Sequence, residues 1–140
     1  MAVKLSHTTV WVLDQDAAKA FYTEQLGFEV RSDVRLGGED EGSSVRWLTV
    51  GPPGQPDAEL ILADTAMGHD PETAEQIRAL VAKGALGPGA MWTDDCRKTH
   101  REWSERGVVF MSEPTERPYG IEAPFRDDSG NWFSLTQRTQ

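Results

Sequence analysis

The first half of the chain alternates apolar and polar residues as short strands do, with one helix among them. The stretch 5–13 is rich in Thr and Val and predicts a strand. Asp14 can cap a helix over 16–25, and Gly27 suits the left-handed residue that ends such a helix. Further strands are predicted at 28–36, 44–50 and 58–63. The first half therefore predicts the order β-α-β-β-β, with a glycine-rich acidic turn at 37–42.

The second half repeats this order. A strand at 89–93 precedes a helix that begins at Asp94 or Asp95 and continues through Arg106. Gly107 follows Asp94 by the same 13 positions that separate Gly27 from Asp14. The remaining pattern predicts strands at 108–111, 119–125 and 131–137, with turns at 114–118 and 126–130. A period of about 80 residues in such a chain indicates two copies of one unit rather than a solenoid.

A helix between the copies completes the predicted organisation. Asp70 and Pro71 are a typical helix start, and Gly84 marks the end of that helix. We therefore predict an α+β fold and one domain over 1–140. Its parts are module one at 4–64, a connector helix at 70–84 and module two at 87–137.

Composition narrows the classes of function. The net charge of -9 argues against binding to nucleic acid, which requires a basic face. No apolar run exceeds four residues, so we expect no membrane-spanning helix and no membrane partner. A single cysteine cannot form an internal disulfide, and the N-terminus has no apolar leader-like core. We expect a reduced, cytoplasmic protein.

Several motifs together resemble the vicinal oxygen chelate superfamily, which groups glyoxalase I, bleomycin-resistance proteins, fosfomycin-resistance transferases and extradiol dioxygenases. They are His7 with Val12-Leu13-Asp14, the helix signature Ala20-Phe21-Tyr22, Leu26-Gly27-Phe28, Arg106-Gly107-Val108, and the closing turn Asp127-Asp128-Ser129-Gly130-Asn131. The resemblance covers nearly the whole chain. It implies two β-α-β-β-β modules that form a cupped mixed sheet, a homodimer, and a small-molecule ligand in the cup. The superfamily carries many activities, so membership alone does not define the function.

The resemblance also implies positions for a divalent metal. Metal-dependent members place His and Glu ligands on the inner face of several strands, and the matching positions here are His7, Glu59, Gly87 or Pro88, and Ser134. Only His7 and Glu59 carry good ligands, whereas a catalytic metal normally needs three. No cofactor is therefore expected, although a divalent metal held by His7 and Glu59 remains possible. His69 could join a site only if its loop folded over the cup, and is otherwise a solvated loop residue; His100 is expected to be exposed on its helix.

With His7 taken as inward, strand alternation predicts which residues line the cup. On the third strand the phase is open, giving either Val45, Trp47 and Thr49 or Arg46 and Leu48. The ligand-binding residues predicted are His7, Trp11, Trp47, Glu59, Trp92, Glu122, Trp132 and Ser134. Tryptophan faces stack on planar groups or cations, and the two glutamates add negative charge. The alternative is that the tryptophans simply fill a core.

Three functions remain open from the sequence. The first is a protein that binds a planar or cationic small molecule in an aromatic-lined cup without an intact metal site. The second is a divalent-metal-dependent lyase, isomerase, thiol transferase or dioxygenase. The third is a metal-free enzyme in which His7 and Glu59 exchange protons. Whether the protein is an enzyme is therefore left open.

Overall fold

A computed structural model describes residues 2–37 and 45–139, so most of the predicted acidic turn at 37–42 lies outside the described residues. The helices are α1 (Gln15–Ala20), continued by a π-helical turn (Phe21–Gln25), α2 (Pro71–Ala82) and α3 (Cys96–Glu105). The strands of the first module are β1 (His7–Val12), β2 (Glu29–Leu36), β3 (Val45–Gly51) and β4 (Glu59–Asp64). Those of the second are β5 (Gly89–Trp92), β6 (Val109–Phe110), β7 (Thr115–Arg117), β8 (Gly120–Glu122), β9 (Phe125–Arg126) and β10 (Trp132–Arg138).

The strands form two mixed sheets with the same order. Sheet one runs β1-β4-β3-β2, with β1 parallel to β4 and the other neighbours antiparallel. In sheet two β5 lies parallel to β10, and β8 and β9 pair antiparallel with the other side of β10. The pairs β7–β8 and β6–β9 then complete the sheet. The predicted α+β class and its two-copy order are confirmed.

Two details of the second module differ from the predicted pattern. The segment predicted as a turn at 114–118 contains the short strand β7, which pairs with β8. The strand predicted at 119–125 is divided into β8 and β9 around Pro124, and Pro114 similarly separates β6 from β7. Proline has no N–H to give to a ladder, so each proline interrupts a strand at the point where it stands.

The two module helices differ by one residue. Asp14 accepts a hydrogen bond from the Ala17 N–H, and Asp95, not Asp94, is the residue that caps α3 in the same way. Gly27 lies 13 residues after Asp14, whereas Gly107 lies 12 residues after Asp95. The extra residue is accommodated by the π-helical turn after α1, since a π turn holds one residue more than an α turn.

One apolar core lies between the helices and the sheets of both modules. Its buried members include Val10, Tyr22, Leu48, Leu62, Trp103, Phe125, Phe133 and Leu135. Trp103 meets Phe125 edge-on at 5.2 Å, and Phe125 stacks on Phe133 at 5.6 Å. Each sheet therefore buries one face in this shared core and turns its opposite face outward.

A pair of reciprocal hydrogen bonds joins the C-terminal ends of the two module helices. The Gln25 amide donates to the carbonyl oxygen of Arg106 at 2.8 Å. The Arg106 guanidinium donates to the carbonyl oxygen of Gln25 at 3.3 Å. Each side chain bonds the backbone of the other residue, and such reciprocal contacts are typical of surfaces related by a two-fold axis. The C-terminal ends of the two module helices thus meet in a contact of approximately two-fold character.

An ion-pair network ties α1 to sheet one. Asp33 accepts hydrogen bonds from Arg46 Nε at 2.9 Å and from Lys19 Nζ at 2.7 Å, and Arg46 also contacts Asp16. The Asp33 side chain is 24% exposed. Hydrogen bonds from Arg46, and then from Lys19, hold the pKa of the Asp33 carboxyl well below its usual range.

This depressed pKa predicts how stability depends on pH. Asp33→Asn is expected to lower the free energy of unfolding at pH 7 by about 1–2 kcal/mol, because charge-assisted hydrogen bonds at a partly exposed site are lost. A carboxyl with a depressed folded-state pKa stabilises the fold above its unfolded pKa of about 4 and loses that contribution as pH falls. The wild-type advantage should therefore shrink below about pH 4 in urea titrations at several pH values. The exposed Asp57→Asn is the control, and a difference that stays constant from pH 7 to pH 3 would contradict the prediction.

Candidate functional site

The outward face of each sheet, opposite the core, carries the residues predicted to line the cup. We call these surfaces open face one and open face two. Open face one carries His7, Trp11, Trp47, Thr49 and Glu59. Open face two carries Trp92, Glu122, Trp132, Ser134 and Thr136. Four of the five tryptophans thus lie on the open faces, and Trp103 is the one in the core.

The phase of β3, which the sequence leaves open, is decided by its partner strands. The Thr49 hydroxyl donates to Glu59 Oε1 at 2.7 Å, so Thr49 shares the face of Glu59. Leu48 and Val50 are fully buried in the core. Val45, Trp47 and Thr49 therefore face outward, and the alternative with Leu48 on that face is wrong.

His7 and Glu59 are directly opposite each other on the parallel pair β1–β4. His7 Nε2 lies 3.4 Å from Glu59 Oε1, and the imidazole approaches the Trp47 ring at 5.8 Å. The other ring nitrogen, Nδ1, lies 2.8 Å from the Ser6 hydroxyl. The group combines an imidazole, a carboxylate and an indole on a partly exposed surface.

The centre of open face two is a second glutamate with hydroxyl partners. Glu122 accepts a hydrogen bond from the Ser134 hydroxyl at 2.6 Å and from the Tyr119 hydroxyl at 2.8 Å. The bond from Ser134, together with that from Tyr119, lowers the pKa of Glu122, and the Glu122 contact raises the pKa of Tyr119. Glu122 is consequently a carboxylate at neutral pH, with Arg117 Nε 4.0 Å away.

Trp11 and Trp92 occupy equivalent positions in the two modules. Each stands three residues before the aspartate that caps the module helix, Asp14 or Asp95. The His69 ring packs against Trp11 with centroids 4.8 Å apart. Trp92, 67% exposed, has the guanidinium of Arg138 3.6 Å from its ring centre. Each of these indoles is therefore paired with a nitrogen-bearing side chain that lies at or after the end of the last strand of its module, β4 or β10.

A cleft opens beside Trp92. It has a volume of about 590 Å³ and is lined by Trp92, Thr93, Asp94, Gln137, Arg138 and Thr139. Polar groups and one indole thus surround a space large enough for part of a small molecule.

The residues at the family's metal positions do not fit a three-ligand divalent site. His7 and Glu59 are adjacent, but Ser134 is already engaged as a donor to Glu122. At Gly87 a Cβ would collide with the Trp132 ring, so that ring would have to move before any side chain could stand there, and Pro88, the alternative position, has no ligating atom. Within residues 2–37 and 45–139, three or more His, Cys, Asp or Glu side chains nowhere gather as a metal site would require.

The fold brings two residues to these faces that the sequence did not indicate, and it places His69 there as a loop folded over the cup would. Tyr119 lies in a turn between β7 and β8, and Arg138 is the last residue of β10. His69 lies half-buried on Trp11 rather than free in solvent. His100 was also expected to be exposed, yet its side chain is only 16% exposed and its ring packs on Phe110. These contacts are tertiary, so no local pattern could have identified them.

Among the described residues, no helix is both long and apolar enough to cross a membrane.

The chain is similar to known proteins along nearly its full length. The family model described as Glyoxalase/Bleomycin resistance protein/Dioxygenase superfamily matches residues 4–135. The solved structure of UcmS2 is 50% identical, with a TM-score of 0.89 and coverage of 98% of this chain and 99% of that chain. TnmS3, described as an antibiotic binding protein from Streptomyces sp. CB03234, is 31% identical, with a TM-score of 0.73 and 99% coverage of each chain. The uncharacterized protein YurT of Bacillus subtilis (strain 168) is 33% identical over 138 residues, covering 97% of this chain and all of YurT.

Proposed function

Because the chain belongs to the glyoxalase/bleomycin resistance protein/dioxygenase superfamily, we propose that it binds a planar or cationic small molecule through its tryptophan-bearing open faces, without a metal. The observation that carries this proposal is the placement of Trp11, Trp47, Trp92 and Trp132 on the two open faces. Trp92 is largely exposed and the other three indoles are half-buried, so each keeps some ring area that a ligand could stack on.

The carboxylates add a preference for positive charge. Glu59 and Glu122 lie among these indoles, and hydroxyl donors hold both in place. A cationic planar compound could stack on an indole while its charge approaches a glutamate. The net charge of -9 favours the approach of such a compound over long range.

The similarity to TnmS3 supports a ligand of antibiotic type. That protein is described as antibiotic binding, and it shares 31% identity with this chain over nearly the full length of both. We therefore propose sequestration of a planar antibiotic-like compound as the role of the open faces.

We also propose a homodimer in which open face one of one copy lies against open face two of the other. Large apolar side chains remain exposed on or beside these faces, among them Val34, Leu36, Trp92 and Tyr119. Exposed apolar patches commonly mark protein interfaces. A two-fold pairing would join the four shallow faces of the dimer into two enclosed cups; light scattering that finds only monomers would contradict the dimer.

One observation favours a second candidate function. His7 and Glu59, 3.4 Å apart, offer the two family-type metal ligands that remain. A divalent-metal-dependent lyase, isomerase, thiol transferase or dioxygenase would need a third donor from elsewhere, such as the partner copy. Mass spectrometry of the protein after loading with Mn, Fe, Ni or Zn distinguishes the two: about one ion per chain, lost in His7→Ala, would favour this candidate over metal-free binding.

Binding of planar dyes tests the first proposal. Trp92→Ala and Trp132→Ala are each expected to weaken binding of the planar cation acridine orange by about fivefold or more, since a stacked aromatic pair contributes about 1 kcal/mol. Isothermal titration of the intact protein gives the affinities. Leu80→Ala is the matched control, because Leu80 is an exposed apolar residue on α2, away from both open faces. Unchanged affinity in both tryptophan variants would place the dye elsewhere.

Charge is tested separately with Glu122→Gln, which keeps the shape of the side chain. The variant should weaken the binding of acridine orange more than the binding of the neutral planar compound coumarin. Equal effects on the two compounds would show that Glu122 does not recognise the cation.

A further inference from the structure

The loop after β4 returns to sheet one and places an imidazole on open face one. His69 is half-buried, and its ring lies against Trp11 with centroids 4.8 Å apart and planes inclined by 57°. The contact joins a loop residue to a strand residue, so the loop covers one end of the open face. Trp11 itself remains partly exposed beside it.

The conformation of this loop is set by its own hydrogen bonds. Asp64 Oδ1 accepts from the Ala66 N–H at 2.8 Å, and the His69 N–H donates to the carbonyl oxygen of Ala66 at 3.2 Å. Gly68 takes a φ of +75°, which a glycine adopts without strain. The loop conformation therefore holds the imidazole in a defined orientation.

One hydrogen bond fixes which ring nitrogen carries the proton. His69 Nδ1 lies 2.9 Å from the carbonyl oxygen of Thr65. A carbonyl oxygen only accepts, so Nδ1 is the donor, and the neutral ring keeps its lone pair on Nε2. In the described part of the chain, Arg31 Nε is the only fully buried polar side-chain atom without a hydrogen-bond partner. His69 Nε2 has no hydrogen-bond partner among the described residues and is not such a buried atom, so it retains some exposure to solvent.

We propose that His69 is a recognition residue of open face one, and that it selects planar aromatic compounds bearing a hydroxyl group. Such a compound packs against the exposed part of Trp11 and donates its hydroxyl hydrogen to His69 Nε2. This inference rests on the proposed function, because it assumes that the open faces bind planar compounds. It adds a hydrogen-bond donor to the chemistry of the ligand.

Two probes that differ only in the donor test the proposal. 2-Naphthol carries a hydroxyl, and 2-methoxynaphthalene is nearly the same shape but cannot donate. The intact protein should bind 2-naphthol about five- to tenfold more tightly, as expected for one additional hydrogen bond. Quenching of tryptophan fluorescence or isothermal titration gives both affinities.

The informative variant is His69→Asn, whose amide N–H can replace Nδ1 as donor to Thr65 while no acceptor remains at the position of Nε2. It should bind both probes equally, at the affinity of wild type for 2-methoxynaphthalene. His100→Asn is the matched control, since His100 packs on Phe110 at 4.4 Å in a similar tilted contact on α3, away from the open faces. That variant should keep the preference for 2-naphthol.

The outcomes separate the two proposals. A preference for 2-naphthol that survives in His69→Asn, or a wild type that binds both probes equally, overturns the role of His69 and leaves the open faces as binding surfaces. If His69 only packs the loop on Trp11, the variant weakens the binding of both probes by the same factor, and that result also overturns the inference. Failure of wild type to bind either naphthalene while acridine orange binds overturns the aromatic-hydroxyl class alone; failure to bind any planar probe overturns the proposed function as well.

Discussion

Asp127→Ala is expected to lower the free energy of unfolding by about 3–5 kcal/mol. The Asp127 carboxylate is buried and accepts five hydrogen bonds. Oδ1 accepts the backbone N–H groups of Ser129, Gly130 and Asn131, each at 2.9 Å. Oδ2 accepts from the Tyr22 hydroxyl at 2.7 Å and from the Asn131 amide at 3.0 Å. Alanine would leave these donors without an acceptor in the core.

The same carboxylate links the two modules. Tyr22 belongs to the π-helical turn of module one, and Asn131 also donates to the carbonyl oxygen of Trp11 at 2.8 Å. Burial, followed by the charge and hydrogen bond of Asp127, raises the pKa of Tyr22 well above its usual value, so the hydroxyl remains a donor. Loss of Asp127 should therefore weaken both the closing turn at 127–131 and the contact between the two modules.

Urea-induced unfolding measures this loss. Tyr22→Phe should lower the free energy of unfolding by about 1–2 kcal/mol, because it removes one buried hydrogen bond and leaves the rest of the turn intact. The double variant should be less destabilised than the sum of the single variants, since both remove the same contact. Asp94→Ala, at an exposed position, is the control. A cost below about 1 kcal/mol for Asp127→Ala would show that the turn does not need its acceptor.

Gly120→Ala is expected to lower the free energy of unfolding by about 2–4 kcal/mol. Gly120 has a φ of +146°, a conformation that strains an alanine. A Cβ there would collide with the carbonyl oxygen of Gln137 on the neighbouring strand β10. Because the obstacle is backbone, the strain can be relieved only by moving β8 away from β10.

The substitution should also disturb open face two, because Glu122 lies two residues further along β8. Separation of the strands would lengthen the Ser134–Glu122 hydrogen bond and lower affinity for a cationic dye. Thermal and urea unfolding report the stability, and titration with acridine orange reports the site. Gly54→Ala is the control, since a Cβ there meets nothing within 4 Å. Equal stability of the two alanine variants would contradict the expected collision.

Local sequence patterns predicted the elements that depend on neighbouring residues. Thr and Val alternation marks β1, and Asp14 caps α1 because its side chain reaches the Ala17 N–H within one turn. The choice between Asp94 and Asp95 could not be made in this way, since either can cap. The 13-residue spacing matches Asp94, whereas the π-helical turn after α1 adds one residue to the first module, which no local pattern reveals.

The candidate site was predictable in type but not in arrangement. Strand alternation, starting from His7, grouped Trp11, Glu59 and Trp132 on the side of the strands predicted to line the cup. The phase of β3 required the Thr49–Glu59 hydrogen bond, and the role of Gly87 required the position of the Trp132 ring. Contacts between segments far apart in the chain decide such questions, and one sequence contains no direct signal of them.

The reciprocal contact between Gln25 and Arg106 also bears on how the site can diversify. Two identical polypeptides that meet across a two-fold axis must carry every substitution twice. Here both halves belong to one chain, so each half can carry its own substitutions. The outcome is visible at Trp11 and Trp92, where the same indole has acquired an imidazole on one side of the axis and a guanidinium on the other. The two halves of one chain thereby present different chemical groups at equivalent positions.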